Sequence, residues 1–111
     1  MENKIIVGYL EKVKINGKEV IAKIDSGATR SSIDLDLASE LKLGPIVKKS
    51  IIVSSHGRSA RPVIKAKIEI GGKRINAFFN ISSRSHLIYK ILIGRNILNK
   101  GFLIDPSKSV N

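Results

Sequence analysis

The sequence predicts an all-β fold, a closed barrel or sandwich with one or two short helices. Three observations lead there. Apolar or alternating segments of strand length recur at short intervals along the 111 residues. Turn signals separate them, chiefly Asn16-Gly17, Gly44-Pro45 and Gly71-Gly72. Only two stretches, Asp36 to Leu43 and Arg95 to Lys100, have helical character. The length suits one domain over residues 1–111, and no linker, repeat or low-complexity segment interrupts it.

Lys4 to Leu10 is apolar and short, as a strand would be. Glu11 to Ile15 alternates polar and apolar, the pattern of a half-buried strand. Asn16-Gly17 is a strong hairpin signal, and Glu19 to Ile24 returns as the second arm. Ser31 to Asp34 reads as a short strand, followed by the helix, with Asp34 or Asp36 as its cap and Gly44-Pro45 as its stop. Ser50 to Ser55 is the next strand, and His56-Gly57-Arg58-Ser59-Ala60 a polar tip. From Pro62 to Ile70 the alternation is clean, with Ile64, Ala66, Ile68 and Ile70 on one face. Gly71-Gly72 turns the chain into a strand over Arg74 to Ile81. Ser82 to Tyr89 has no clear period. Ile91-Leu92-Ile93 is a continuous apolar strand that stops at Gly94, and Phe102-Leu103-Ile104 closes the fold before the Asp105-Pro106-Ser107 turn.

Composition narrows the function classes. There is no Cys, which removes disulfides, thiol nucleophiles and thiolate metal sites. No window approaches the length of a membrane span, and Met1-Glu2-Asn3-Lys4 has no apolar leader pattern, so a cytoplasmic protein without a membrane anchor is expected. Lys and Arg total 20 against 9 Asp and Glu, a net charge of +11. That balance suits an acidic partner, although the bases are scattered and a solvated surface explains them equally well. Aromatic residues make up only 5%, little material for stacking single-stranded nucleic acid.

The stretch that points to chemistry is Ala22-Lys23-Ile24-Asp25-Ser26-Gly27-Ala28-Thr29. An apolar strand runs into a carboxylate, a hydroxyl and a residue without Cβ. Alone, Asp-Ser-Gly reads as a turn capped by its own side chain. A second apolar strand that ends on a glycine, Ile91-Leu92-Ile93-Gly94-Arg95-Asn96, changes that reading. The pair resembles the retropepsins, the single-domain aspartic peptidases typified by retroviral proteases. A longer series adds Arg61-Pro62-Val63, Ser83-Arg84-Ser85 and Phe102 to Ser109 in order. It resembles the prokaryotic retropepsin-like family labelled RimK-associated, ATP-dependent zinc protease. The chain departs from that family's usual Asp-Thr-Gly-Ala-Arg-Thr-Ser in having Ser26 and the order Thr29-Arg30.

The resemblance implies a retropepsin-like closed β-barrel in which the two segments cross as a ψ-shaped loop. It implies an aspartic endopeptidase with Asp25, Ser26 and Gly27 as catalytic residues, Asp25 bearing the acid. Ala28 and Thr29 would touch substrate, with Ser55, His56, Gly57 and Arg58 at the tip of a flap spanning Val53 to Pro62. Gly94 and Arg95 would be structural, Arg95 bracing the dimer or the fold through a carboxylate. Arg84 would be structural too, or face substrate. His56 and His86 read as surface residues rather than catalysts. One chain carries a single Asp-Ser-Gly, so the second carboxylate must come from a second copy, and a homodimer is expected. A peptide or protein substrate follows, and acidic or glutamylated ones suit the charge. The label's zinc and ATP find no support: there is no His-Glu-x-x-His, no Cys and no Gly-rich phosphate loop, so neither metal nor cofactor is expected. The alternative is a catalytically inactive basic β-barrel that binds nucleic acid or a ribosomal component.

Overall fold

A computed structural model describes residues 3–110. Met1 and Glu2, on which the reading of the N-terminus partly rests, lie outside the described residues, as does Asn111. The strands are β1 (Ile5–Val7), β2 (Leu10–Ile15), β3 (Lys18–Ile24), β4 (Ser31–Asp34), β5 (Ile46–Ser54), β6 (Gly57–Ile70), β7 (Lys73–Ser82), β8 (Ile91–Ile93) and β9 (Phe102–Ile104). The two helices are α1 (Leu35–Glu40) and α2 (Arg95–Leu98).

Seven strands form one sheet in the order β2-β3-β8-β4-β7-β6-β5, and β2 also pairs with β6. That extra pairing joins the sheet back to its first strand and wraps it around an apolar interior. Ile15, Ile33, Ile64, Ile68, Ile70, Ile91, Ile93 and Phe79 are fully buried there. β-Branched side chains, stiff at χ1, suit such a pleated and enclosed surface. The alternation over β6 is realised residue by residue: Ile64, Ala66, Ile68 and Ile70 are buried, Lys65 and Lys67 exposed.

Turn chemistry explains the corners. Asn16 and Gly17 have φ of 46° and 83°, the positive values a two-residue hairpin turn needs to match strand twist. Lys4 to Leu10 is not one strand: β1 ends at Val7 and β2 begins at Leu10. At this corner Gly8 sits where a Cβ would lie 2.6 Å from the Lys108 carbonyl oxygen. Its N–H donates to Glu11 Oε1 at 2.8 Å, which gives that buried carboxylate a partner, and Lys108 Nζ supplies another. β1 and β9 form a separate parallel pair. No helix is long and apolar enough to cross a membrane.

Candidate active site

The last residue of β3 and the last of β8 are partners in a parallel ladder, Ile24 with Ile93. β8 lies between β3 and β4, parallel to the first and antiparallel to the second. The chain therefore leaves β3, turns through residues 25–30 and re-enters on the far side of β8. The turn contains Asp25. Its N–H donates to the Ile93 carbonyl at 2.9 Å, which fixes the backbone at the end of the ladder. Its Oδ1 accepts the Gly27 N–H at 2.9 Å. A Cβ at Gly27 would sit 3.2 Å from the same oxygen, a contact closer than most side chains tolerate. Asp25 is half-buried, while Ser26 and Gly27 are exposed.

Gly94 passes under this turn at close range. A Cβ there would meet the Arg30 carbonyl oxygen at 2.3 Å and that of Ala28 at 2.9 Å. Its N–H donates to Ser31 Oγ at 2.9 Å. Ser31 Oγ in turn donates to Asn96 Oδ1 at 2.8 Å, and Asn96 Nδ2 to the Phe78 carbonyl at 3.0 Å. The Arg95 N–H donates to the Ala28 carbonyl at 2.8 Å, and the Asn96 N–H to that of Thr29 at 3.2 Å. The two limbs of the crossing are thus tied by main chain as well as side chains.

Arg95 spans the turn with its planar fork. Nη1 donates to the Ser26 carbonyl and Nη2 to Thr29 Oγ1, each at 2.9 Å. The resemblance implies a carboxylate partner; within this chain the guanidinium meets a carbonyl and a hydroxyl. Thr29 Oγ1, expected to face substrate, is an acceptor for Arg95. Arg30 donates to Ser50 Oγ and so ties the turn to β5.

Arg84 lies away from Asp25, in the loop after β7. Its N–H donates to Asp34 Oδ1 at 2.7 Å and its Nε to the Tyr89 carbonyl at 3.1 Å. Burial lowers its guanidinium pKa, opposed by the Asp34 charge and aided by Arg61. Asp34 is buried and also accepts the Leu37 N–H at 3.3 Å as the cap of α1. Burial works against its charge, but the N–H groups of Arg84, Leu37 and Asp36 and the charge of Lys90 prevail and hold the carboxyl below its ordinary 3.8.

Ser55, His56, Gly57 and Arg58 share the end of the β5–β6 hairpin, all exposed. The reversal is tighter than the sequence predicts: Ser54 pairs with Gly57, so only Ser55 and His56 are unpaired. The His56 N–H donates to Ser54 Oγ at 3.2 Å. Among the described residues no three His, Cys, Asp or Glu side chains converge as metal ligands would, so the donor set does not fit a zinc ion. The residues that sequence reasoning missed are Ser31 and Asn96, which couple the limbs, and Asp34 in its bond to Arg84. Asn96 stands in the Gly-Arg-Asn triplet, which was a signal; Ser31 carried none.

A family model described as aspartyl protease matches residues 11–97. A "Probable alpha-L-glutamate ligase" from Shewanella pealeana is 29% identical over 136 aligned positions, which cover 97% of this chain and 30% of that relative's length. Among solved structures, a Legionella pneumophila protein of unknown function superposes with a TM-score of 0.69 at 22% identity, covering 96% of both chains. The simian foamy virus protease gives 0.66 at 20% identity, covering 81% of this chain and 91% of its own. The EIAV protease, in complex with an inhibitor, gives 0.66 at 22% identity, covering 81% and 84%. At these identities the structural likeness speaks for a retropepsin-like fold.

Proposed function

Because this chain belongs to the aspartyl protease family, we propose that it is an aspartic endopeptidase whose active site forms from two copies of the chain, each contributing Asp25. The observation that carries this reading is the half-exposed Asp25 carboxylate at the crossing of β3, β8 and β4. The other aspartates stand elsewhere in the fold. Asp34 is buried against Arg84 and Leu37, Asp36 follows it on α1, and Asp105 accepts the N–H and O–H of Ser107. A second carboxylate for the water thus comes most simply from a two-fold axis.

Two carboxylates a few ångströms apart cannot both ionise, so the pair shares one proton. The ionised Asp25 takes a proton from a water held between them. The protonated one donates to the carbonyl oxygen of the scissile bond and later to the leaving nitrogen. Ser26 hydroxyls bond across the axis and Gly27 lines the cleft with Ala28. The β5–β6 hairpin, with Ser55 to Arg58 at its end, closes over the substrate backbone and excludes water.

Acidic or glutamylated peptides are the substrate class we favour. The net charge is +11, Arg58 and Arg61 lie on the hairpin, and the Shewanella relative is named as a glutamate ligase.

The decisive experiment is Asp25→Asn, assayed by peptide cleavage and by sedimentation. We expect kcat/KM to fall by about 10³-fold or more with the dimer intact. Full activity in the variant, or a wild-type protein that cleaves as a monomer, defeats the reading. Cleavage of oligo-glutamate against neutral peptides tests the substrate class, and equal rates count against it.

A further inference from the structure

The β6 edge that faces β5 and β2 is interrupted. Pairing with β5 ends at Ile64 and pairing with β2 begins at Ile68, which leaves residues 65–67 without a ladder partner on that side. The gap opens into a cavity of about 470 Å³. Its walls are the Asn16–Gly17 turn and the Lys42–Gly44 loop, and Asn16 Nδ2 holds them together by donating to the Leu41 carbonyl. Its floor is β6. The cavity is far from Asp25: the Asn16–Gly17 turn precedes β3 and Asp25 follows it, a run of about 20 Å.

The lining is strongly basic. Lys14, Lys42, Lys65, Lys67 and Arg74 stand against one carboxylate, Glu69, for a net +4. Glu69 is itself bonded to Arg74 at 3.3 Å. Among the described residues, the ammonium groups of Lys14, Lys42 and Lys67 have no hydrogen-bond or ion-pair partner. Like charges gathered around one concavity repel one another and raise the local concentration of anions. The unpaired edge adds at least one backbone N–H that requires an acceptor or water.

We propose that this cavity, formed by Lys14, Lys42, Lys65 and Lys67 at the unpaired β6 edge, is a binding site for a compact polyvalent phosphate. Ligand class follows from charge density and chemistry. A chain of phosphates concentrates its charge in a smaller volume than glutamyl residues carrying as many carboxylates. Lysine ammonium groups on flexible stems adapt as point charges to tetrahedral oxyanions, whereas planar carboxylate recognition favours arginine forks, and four of the five cations are lysines. No aromatic side chain lines the cavity, so nothing there stacks on a nucleobase. The site also lies at the root of the β5–β6 hairpin, since Gly44 leads into β5 and Lys65 and Lys67 belong to β6.

The test is titration calorimetry with inorganic tripolyphosphate at about 0.15 M salt, where diffuse surface charge is largely screened. One ligand per chain is expected. The double variant Lys14→Ala/Lys67→Ala should bind at least about tenfold more weakly. Lys12→Ala/Lys23→Ala, which removes the same charge from exposed positions outside the cavity, should stay within about twofold. Lys65→Gln, a milder change, should weaken binding in the same direction, and circular dichroism melts verify folding of each variant. Absence of saturable heat with the wild type, or equal weakening in both double variants, overturns the site. Tighter binding of a tetra-glutamate peptide than of tripolyphosphate overturns the phosphate assignment. Asp25 is untouched throughout, so the outcome is independent of the peptidase reading.

Discussion

The strand crossing at Asp25 and the hairpin end at Ser55–His56 are both glycine-containing reversals, but their hydrogen bonds run in different directions. At the crossing, besides the bonds of Gly27 and Ala28 to Asp25 within the turn, they lead to other elements: Asp25 to Ile93, Gly94 to Ser31, Arg95 to Ser26 and Thr29, Asn96 to Phe78. At the hairpin they stay inside it, between β5 and β6 and from His56 to Ser54. Every residue from Val53 to Ala60 is exposed. In the proposed dimer the Asp25 carboxylate has to meet its twin and needs a fixed backbone, whereas the hairpin proposed to admit a peptide has to open at low cost. Rigidity is placed at the crossing and withheld at the hairpin.

The largest structural effect is expected at Gly94. Its φ of −101° suits any residue, so the constraint is space alone. A Cβ placed 2.3 Å from the Arg30 carbonyl oxygen and 2.6 Å from its carbon meets main chain, which cannot swing aside. Gly94→Ala should cost about 3 kcal/mol or more and lower the melting temperature by more than about 10 °C. A melt within a few degrees of wild type would show slack in the crossing and break the contrast. Ser31→Ala comes next. It strips the buried Gly94 N–H of its acceptor and Asn96 of a donor, a loss of about 1–3 kcal/mol by calorimetry.

Asp34 links the loop that carries Arg84 to pH. Its carboxyl titrates below its ordinary 3.8 in the folded state, so the unfolded chain holds the proton more tightly. The resulting stability is complete above the unfolded value and is lost as pH falls through the folded one. Melts recorded from about pH 5 downward should therefore steepen below about pH 4, and the Asp34→Asn variant should show a shallower acid slope. An identical slope in both would remove Asp34 as a pH-linked support of the loop that carries Arg84.

Much of this was legible because the core enforces periodicity. β4 and β8 fall on the segments read from sequence, since Ile33, Ile91 and Ile93 are enclosed on every side. The start of β5 was not legible. Ile46, Val47, Lys48 and Lys49 are all exposed on an edge strand, so no alternation marks them. Gly57, Arg58, Ser59 and Ala60 have little strand character, so the sequence predicts a five-residue hairpin end; pairing with β5 draws them into β6. α1 stops at Glu40 rather than Leu43 because Lys42 takes a φ of 55°, although Leu41 is still buried. At the site, Asp25 and Gly94 stand out by motif. The Ser31–Asn96 bond joins residues 65 apart, and no local pattern encodes it.

The smallest effect belongs to the hairpin. Neither Ser55 nor His56 has a positive φ, so the reversal relies on Gly57 at 112°. No atom lies within 4 Å of a Cβ built there, so Gly57→Ala introduces backbone strain without a clash, in contrast to Gly94→Ala. The strain amounts to about 1 kcal/mol and is confined to a segment that packs on nothing else. Two results should follow together. The global melting temperature should move by no more than a few degrees, because the hairpin end opens without unfolding the core. Amide exchange from Val53 to Ala60 should speed up several-fold, while exchange at Asp25, Gly94 and Asn96 stays unchanged. If exchange at the crossing accelerates as well, the two regions are one cooperative unit and the hairpin does not move independently of the carboxylate it would cover.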